Sequence, residues 1–447
     1  MNTPDSTVQS TSNESIAPNE NVQTPDAMTV KKDKKIRFPT AKQRREHFEM
    51  NKRTRSDDTW PTTRKEHENK EPSGPRLPKK KVALLMGFSG TGYSGMMFNP
   101  NAKKTIEDDL FSALCLSGAV SKDNSTDIKK VSFMRAARTD KGVSAAGQVC
   151  SLKMIVDIDD IIKKINDHLP AQIRVFGYVK TMRAFHAKNC CSSRIYEYLL
   201  PTYTLAPRSE PVEQVSDGQQ IPPVDPTEME LKHAFRADTA TISLVREALE
   251  KYVGTRNYHN FTIRRSFKEK ASNRFITSFT ASNPFVVDGI EWISLKVHGQ
   301  SFMLHQIRKM VAMVVMLVRS NTPLSVLTRA FEEQKINIPK APGLGLLLER
   351  PLFDSFNDKQ EKGRESYDPI DFSSVQEEMD QFKTEFIYPN ITQEEKSGYT
   401  FETFLRQVDY FPQHYQYLNP EGTIPEYQPS SMPVGSDDSE PDSDTEA

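Results

Sequence analysis

The stretch Arg138-Thr139-Asp140-Lys141-Gly142-Val143-Ser144-Ala145-Ala146-Gly147-Gln148-Val149 sets one carboxylate between two cations. An opposite charge close by favours the ionised carboxylate and lowers its pKa. Gly142 lets backbone approach a ligand closely. A charged Asp in a loop after an apolar, strand-like run has the character of a nucleophile. Asp-Lys-Gly is also a turn signal, in which Asp bonds its own backbone. On that tripeptide alone the turn is the simpler reading. Two further segments widen it.

The first is Phe185-His186-Ala187-Lys188, followed by Arg194-Ile195-Tyr196-Glu197-Tyr198. In a strand, Arg194, Tyr196 and Tyr198 share one face, and Ile195, Glu197 and Leu199 the other. A face with Arg and two aromatics suits stacking a base and holding a phosphate. A cross-strand aromatic pair is the plainer alternative. The second is Gly299-Gln300-Ser301-Phe302-Met303-Leu304-His305-Gln306-Ile307-Arg308-Lys309-Met310. Helical spacing pairs Leu304 with Arg308 and His305 with Lys309. Residues after Met310 are apolar, so Arg308 sits where a helix enters the core. A semi-buried Arg needs a carboxylate or phosphate partner, and an ordinary structural ion pair meets the same need. His305 alone fits a packed or surface histidine as well as a functional one.

The elements that must position these residues can be read from periodicity. Lys81–Phe88 is an apolar strand, and Ser89–Gly95 a loop. That loop contains G-x-G but no G-K-[ST], which argues against a nucleotide site. Thr105 begins a capped amphipathic helix with Glu107, Asp108 and Asp109 in its first turn. Val131–Ala137 and Gln148–Met154 read as strands, Asp159–Leu169 as a helix, and Ile173–Val179 and Ile195–Leu200 as strands. Strand, helix, strand, strand, helix, strand is the ferredoxin-like order. A Pro- and Gln-rich interval follows, then a second unit of similar order. It has helices near 243–252, 302–319 and 324–333, and strands at 275–281, 290–297 and 345–349. The expectation is an α+β fold of two pseudo-repeated ferredoxin-like units. Further helices near 375–386 and 401–407 form a C-terminal extension. The expected divisions are a disordered basic arm (1–80), a first lobe with the Asp140 loop (81–205), a linker (206–235), a second lobe (236–357), the helical extension (358–415) and an acidic disordered tail (416–447).

Composition bounds the function. The chain has 447 residues and a formal net charge of −1, enough length for two or three domains. The near-neutral average hides segregation. Lys31 to Lys81 holds 18 Lys/Arg against 8 Asp/Glu, and no Lys or Arg follows Arg406. A basic arm and an acidic tail point to a polyanion partner, although solubilising disordered ends share that composition. Cys115, Cys150, Cys190 and Cys191 form no C-x-x-C, which argues against a zinc site and a secreted disulfide framework. The longest apolar run, Met310 to Val318, is too short to span a bilayer. The N-terminus lacks a secretory h-region. Lys31-Lys32-Asp33-Lys34-Lys35 fits a nuclear import patch, as does any basic RNA-binding arm.

Taken in order, the three segments resemble the TruA family of tRNA pseudouridine synthases, in its eukaryotic nuclear and mitochondrial branch. Thr105-Ile106-Glu107-Asp108-Asp109-Leu110 and Ala341-Pro342-Gly343-Leu344-Gly345-Leu346 are similar to that branch too. So are Lys141 and Ser144, where bacterial members usually show A-G-V-H after the Asp. The similarity runs from about Lys81 to Asn357. It implies a continuous, mainly antiparallel sheet with a central RNA-binding cleft. It implies Asp140 as the nucleophile, Arg308 as the basic residue that pairs with it, and Arg138 as the arginine implicated in displacing the base. Tyr196 is implied to stack on the target base, with Phe185 and His305 as further substrate-binding residues. Relatives often carry His at the Arg256 position, a departure that bears on local contacts and not on the chemistry. The implied partner is tRNA, with mRNA as a second RNA class, and the implied protein is a nuclear monomer, with a mitochondrial isoform conceivable. No metal and no cofactor are implied, because isomerising uridine involves no redox change and no net hydrolysis. A catalytically silent RNA-binding or chaperone protein on the same fold is the alternative. It has no need for Asp140, Tyr196 and Arg308 together.

Overall fold

β1 (Lys79–Phe88) shows how the fold is layered. Val82, Leu84, Met86 and Phe88 enter one apolar core, while Ala83 and Leu85 enter another. Side chains alternate across a strand, so a strand buried on both faces reads as an unbroken apolar run. A computed structural model describes residues 77–99, 104–208, 219–361 and 367–426. Most of the basic arm, its import patch and the end of the acidic tail lie outside the described residues. Among the described residues no helix is long and apolar enough to cross a membrane.

After β1 the chain forms α1 (Ile106–Leu116), β2 (Met134–Arg135), β3 (Ser144–Ile155), α2 (Ile161–Asn166), β4 (Ile173–Lys180) and the short α3 (Ala187–Cys190). Then come β5 (Ser193–Pro201), α4 (Pro226–His233), α5 (Thr239–Glu250), β6 (Gly254–Asn257), β7 (Asn273–Ala281), β8 (Phe285–Val287) and β9 (Ile290–Gly299). α6 (Gln306–Arg319), α7 (Ser325–Arg329) and β10 (Leu346–Leu352) complete the sheet. α8 (Asp354–Glu361), α9 (Gln376–Phe382), α10 (Tyr388–Gly398) and α11 (Thr400–Tyr410) follow.

The strands make a 10-stranded sheet in the order β4-β1-β3-β10-β5-β9-β7-β6, with β2 beside β3 and β8 beside β9. All pairings are antiparallel except β3 with β10. Two arrangements repeat within it. In β4-β1-β3-β2 and again in β10-β5-β9-β7, the last strand lies beside the first and the third beside the second. This is the expected α+β sheet with its two ferredoxin-like units. By strand order the second unit begins at β5, ahead of the 206–235 segment rather than after it. α4 lies within that segment.

One expected strand is much reduced. The sequence predicts a strand over 131–137, but Ile128–Val131 form a 3-10 turn and only Met134 and Arg135 pair. The rest of the edge of β3 goes to β10, which pairs at Ser144 and Ala145. Residues 136–143 are thereby released from the ladder as a loop. α6 is buried nearly all round from Met310 to Leu317, which explains its lack of a polar face. α9 and α10 are joined by a π-helical turn, Lys383–Ile387. Pro389 follows it and has no N–H to give back to that turn.

The π turn delivers Lys383 under the middle of the sheet. Its Nζ lies 2.9 Å from Glu349 on β10 and 3.3 Å from Glu197 on β5. The three side chains are 8 %, 6 % and 2 % exposed. Glu197 also accepts from the Ser294 and Tyr388 hydroxyls, and Lys296 reaches Glu349 at 3.5 Å. Burial alone would raise the Glu197 carboxyl, but Lys383, Lys296 and the Ser294 bond outweigh it and hold it below the ordinary value. Burial likewise opposes charge on Lys383, and Glu197 with Glu349 overcomes it, holding that amine above its usual value. A depressed carboxyl pKa contributes stability above the unfolded value and loses it as pH falls through the folded one. Removing one partner of a buried pair is costly because the other charge is stranded. Lys383→Met should therefore lose about 3–5 kcal/mol at pH 7. The deficit should narrow toward pH 5, as the stranded carboxylates take up protons. Urea unfolding of both proteins at the two pH values checks this; an equal, small deficit at both would contradict it.

Candidate active site

Asp140 stands in the 136–143 loop between β2 and β3. Gln148, fully buried on β3, spans that loop's root: its Oε1 accepts from Ala137 N at 3.2 Å and its Nε2 donates to Ala137 O at 2.8 Å. The Ser89–Gly95 loop braces the other side. Met96 N donates to Thr139 O at 3.3 Å, Gly142 N to Tyr93 O at 3.3 Å, and Gly90 N to Ser144 Oγ at 3.0 Å. A Cβ on Gly90 would lie 2.5 Å from Val143 O, and one on Gly95 2.9 Å from Thr139 O. The glycines that resemble a phosphate loop thus admit a neighbouring backbone. Held this way, Thr139 is buried, Arg138 and Lys141 are exposed, and the Asp140 side chain is 36 % exposed.

The first turn of α1 supports β2. Arg135 Nε meets the buried Glu107 at 2.5 Å, and Glu107 also accepts from Phe98 N at 2.9 Å. Burial raises the Glu107 carboxyl, against the pull of Arg135, the Phe98 N–H and Arg138. Asp108 closes the capping box with Thr105, and Asp109 accepts from the Tyr93 hydroxyl at 2.5 Å. The three acids read together as a helix start do three separate jobs.

The opposite wall comes from the second unit. His305, at the entrance to α6 with φ +59°, brings Nδ1 to 3.9 Å from Asp140 Oδ2. Tyr196 on β5 lies between Leu348 of β10 and Val297 of β9. Its ring meets Phe302 edge-on, centroids 5.3 Å apart. Burial pushes the Tyr196 hydroxyl up to about 12, with Asp140 adding to the rise and Arg194 opposing it. It is therefore a neutral hydroxyl near pH 7. Arg194, also on β5, donates to Ala136 O at 2.8 Å and to Gln300 O at 3.4 Å.

The sequence-based candidates divide accordingly. Asp140, Tyr196 and His305 come together. Arg308 lies one turn beyond His305 and was expected on Asp140. Its Nε donates to Ala341 O at 2.7 Å, and its guanidinium runs beside Gly343. Phe185 is corrected: it is 2 % exposed and packs on Phe353 and Phe356, a core residue rather than a substrate contact. Tyr198 is also buried, its hydroxyl donating to Pro342 O at 2.7 Å. Arg138 is exposed beside Asp140. Sequence reasoning missed Gln148 and the bracing glycines. A lone amide in an apolar strand was the available signal for Gln148. The sequence offers Arg194 as a phosphate holder, whereas it bonds two backbone carbonyls. The arrangement offers a part-exposed carboxylate, a buried imidazole next to it, and an aromatic hydroxyl side chain alongside.

Residues 248–354 match a family model described as tRNA pseudouridine synthase. The chain is 40 % identical over 413 residues to tRNA pseudouridine synthase 1 of Candida albicans, covering 76 % of this chain and 67 % of that one. It is 36 % identical over 490 residues to tRNA pseudouridine synthase 1 of Schizosaccharomyces pombe, covering 83 % and 91 %. It is 42 % identical over 343 residues to the pseudouridylate synthase 1 homolog of Mus musculus, covering 76 % of each.

Gly90→Ala tests the brace. The new methyl must push Val143 and with it the Asp140 loop, and a misplacement near 1 Å can cost about 100-fold in turnover. Gly177→Ala is the control, since its methyl meets Val375 at an ordinary 3.9 Å. Turnover of both variants, beside their melting temperatures, decides it. Full activity in a folded Gly90→Ala protein would show that the brace does not set the site.

Proposed function

The chain belongs to the tRNA pseudouridine synthase family, and from that premise we propose that it converts particular uridines of tRNA to pseudouridine with Asp140 as nucleophile. The observation that carries the reading is the meeting of Asp140, His305 and Tyr196, drawn from segments more than fifty residues apart in sequence.

The reaction breaks the bond between the uracil N1 and C1′ of the sugar. It forms a bond from C5 of the same ring to C1′. N1 gains a proton and C5 loses one, so substrate and product have the same atoms and the same oxidation level. The Asp140 carboxylate bonds C1′ as the N1–C1′ bond breaks, the ring turns, and the bond to Asp140 breaks again as C5 joins C1′, returning the free carboxylate. Tyr196 stacks on the target base, and base on aromatic is worth about 1–3 kcal/mol. That offsets part of the few kcal/mol needed to take a base out of its stack. Arg138, exposed beside Asp140, enters the space the base leaves. Arg308 supplies a permanent positive charge behind His305. Lys141 and Arg138 attract the phosphates on either side.

Uridines of the anticodon stem-loop region are the expected targets, with mRNA as a second substrate class. The alternative, a silent RNA-binding protein, leaves a half-exposed carboxylate between two cations without a task. The test is a transcriptome-wide pseudouridine map from cells whose only copy of the chain is wild type or Asp140→Ala. The expected result is loss of a defined set of tRNA pseudouridines, together with any mRNA sites, at unchanged protein level. Identical maps would sink the reading.

A further inference from the structure

β6 is the end strand of the sheet, and the segment from Gly254 to Phe275 that forms it and its neighbour is strongly basic. It holds Arg256, Arg264, Arg265, Lys268, Lys270 and Arg274 against Glu269 alone. That is a formal +5, six cations less one carboxylate, in a chain whose total is −1. Glu269 is committed to Arg265 at 3.0 Å, and Lys268 has Glu333 at 4.0 Å with both groups exposed. Arg256 and Arg274 are direct partners across β6 and β7. Like charges opposite one another in a ladder are destabilising.

We propose that this edge docks the sugar–phosphate backbone of RNA flanking the target uridine, with Arg256, Arg264, Lys268, Lys270 and Arg274 on phosphates. The proposal rests on the reading of the substrate as RNA. An arginine fork matches phosphate geometry; Arg256 Nη1 donates to Thr255 O, and Arg274 Nη1 to Ala271 O and Asn273 O, and an anion held near the pair offsets the repulsion between their charges. A run of cations suits a phosphate backbone, whose condensed counterions are released on binding. Charges on an end strand also deter sheet-to-sheet pairing. One or two suffice for that, and the cations of the 264–270 turn do not serve it.

The edge is built into the site wall. Gln300 N donates to Phe275 O at 3.1 Å, and Gln300 O accepts from Arg194. Thr262 Oγ1 donates to Leu304 O at 2.9 Å, directly before His305. Lys309 Nζ reaches Thr262 O at 3.4 Å. Backbone held by this edge is thus registered against the loop that carries Phe302 and His305, and so against Tyr196 and Asp140.

The test compares wild type with the triple variant Arg256→Gln, Arg264→Asn, Lys270→Gln. All three side chains are exposed, and Asn tolerates the φ of +56° at position 264. Lys270→Gln alone is measured beside it. The measurements are tRNA binding across a KCl series, single-turnover pseudouridine formation at saturating tRNA, and sedimentation. Each lost phosphate contact flattens the slope of log K against log[salt] by about 0.7–0.9. The triple variant should therefore be shallower by about 2 to 3, and the single variant by about 0.7–0.9. Affinity of the triple variant near 0.15 M KCl should fall about 10- to 100-fold, with the saturated rate within about twofold, since the Asp140 machinery is untouched. Unchanged slope and affinity, while wild type still isomerises tRNA, would overturn the docking surface and leave the functional reading standing. Self-association of the variant with unchanged affinity would overturn it in favour of edge protection. A wild type that neither binds nor isomerises tRNA would overturn the functional reading and this proposal together.

Discussion

One guanidinium joins the two halves of the site. Arg194 leaves β5 and bonds the Ala136 carbonyl on one side and the Gln300 carbonyl on the other. Ala136 begins the loop that carries Asp140. Gln300 begins the segment that carries Phe302 and His305. The two loops belong to different ferredoxin-like units, whose direct sheet contact is the short parallel pairing of β3 with β10. Without a common anchor, small shifts between units would move Asp140 relative to Tyr196 and His305. Arg194 shares its strand face with Tyr196, so the residue that fixes the gap sits two positions from the aromatic that lines it.

The other face of the same strand explains why the anchor itself stays still. Glu197 lies beneath the sheet, where Lys383 ties it to Glu349. β5 and β10 are thereby held by a charge that arrives nearly two hundred residues later, on a π turn. Buried charges are expensive unless they are paired and hydrogen-bonded, and here the Ser294 and Tyr388 hydroxyls complete the pairing. The C-terminal helices are therefore a clamp under the site as well as a cover for the core.

Much of this was legible in the sequence, for identifiable reasons. An unbroken apolar run revealed β1, and strand-like residue patterns revealed β5, β7 and β9, because each buries at least one face. Asp140, Tyr196 and His305 lay in segments of unusual residue mixture. What failed to show depended on partners far along the chain. Phe185 stood out as an aromatic beside His186, yet its place is decided by Phe353 and Phe356. The family resemblance implies Arg308 on Asp140, but a carbonyl in the 341–343 loop takes its Nε. Gly90 and Gly95 resemble a ligand loop until the Asp140 loop is seen against them. β10 is a short apolar run like many others, and nothing local says that it fills the centre of the sheet. The Lys383 cluster has no local pattern at all.

The central claim is that Asp140 does the chemistry and does not merely hold the RNA. The most direct measurement takes purified wild type and Asp140→Asn, and records tRNA affinity and single-turnover pseudouridine formation on the same samples. The amide keeps the size of the carboxylate and removes its charge and nucleophilicity. The account predicts affinity within about threefold and a rate lower by about 10⁴-fold or more, as for loss of a nucleophile elsewhere. A rate within tenfold of wild type would contradict it, and so would a rate loss accounted for by weaker binding.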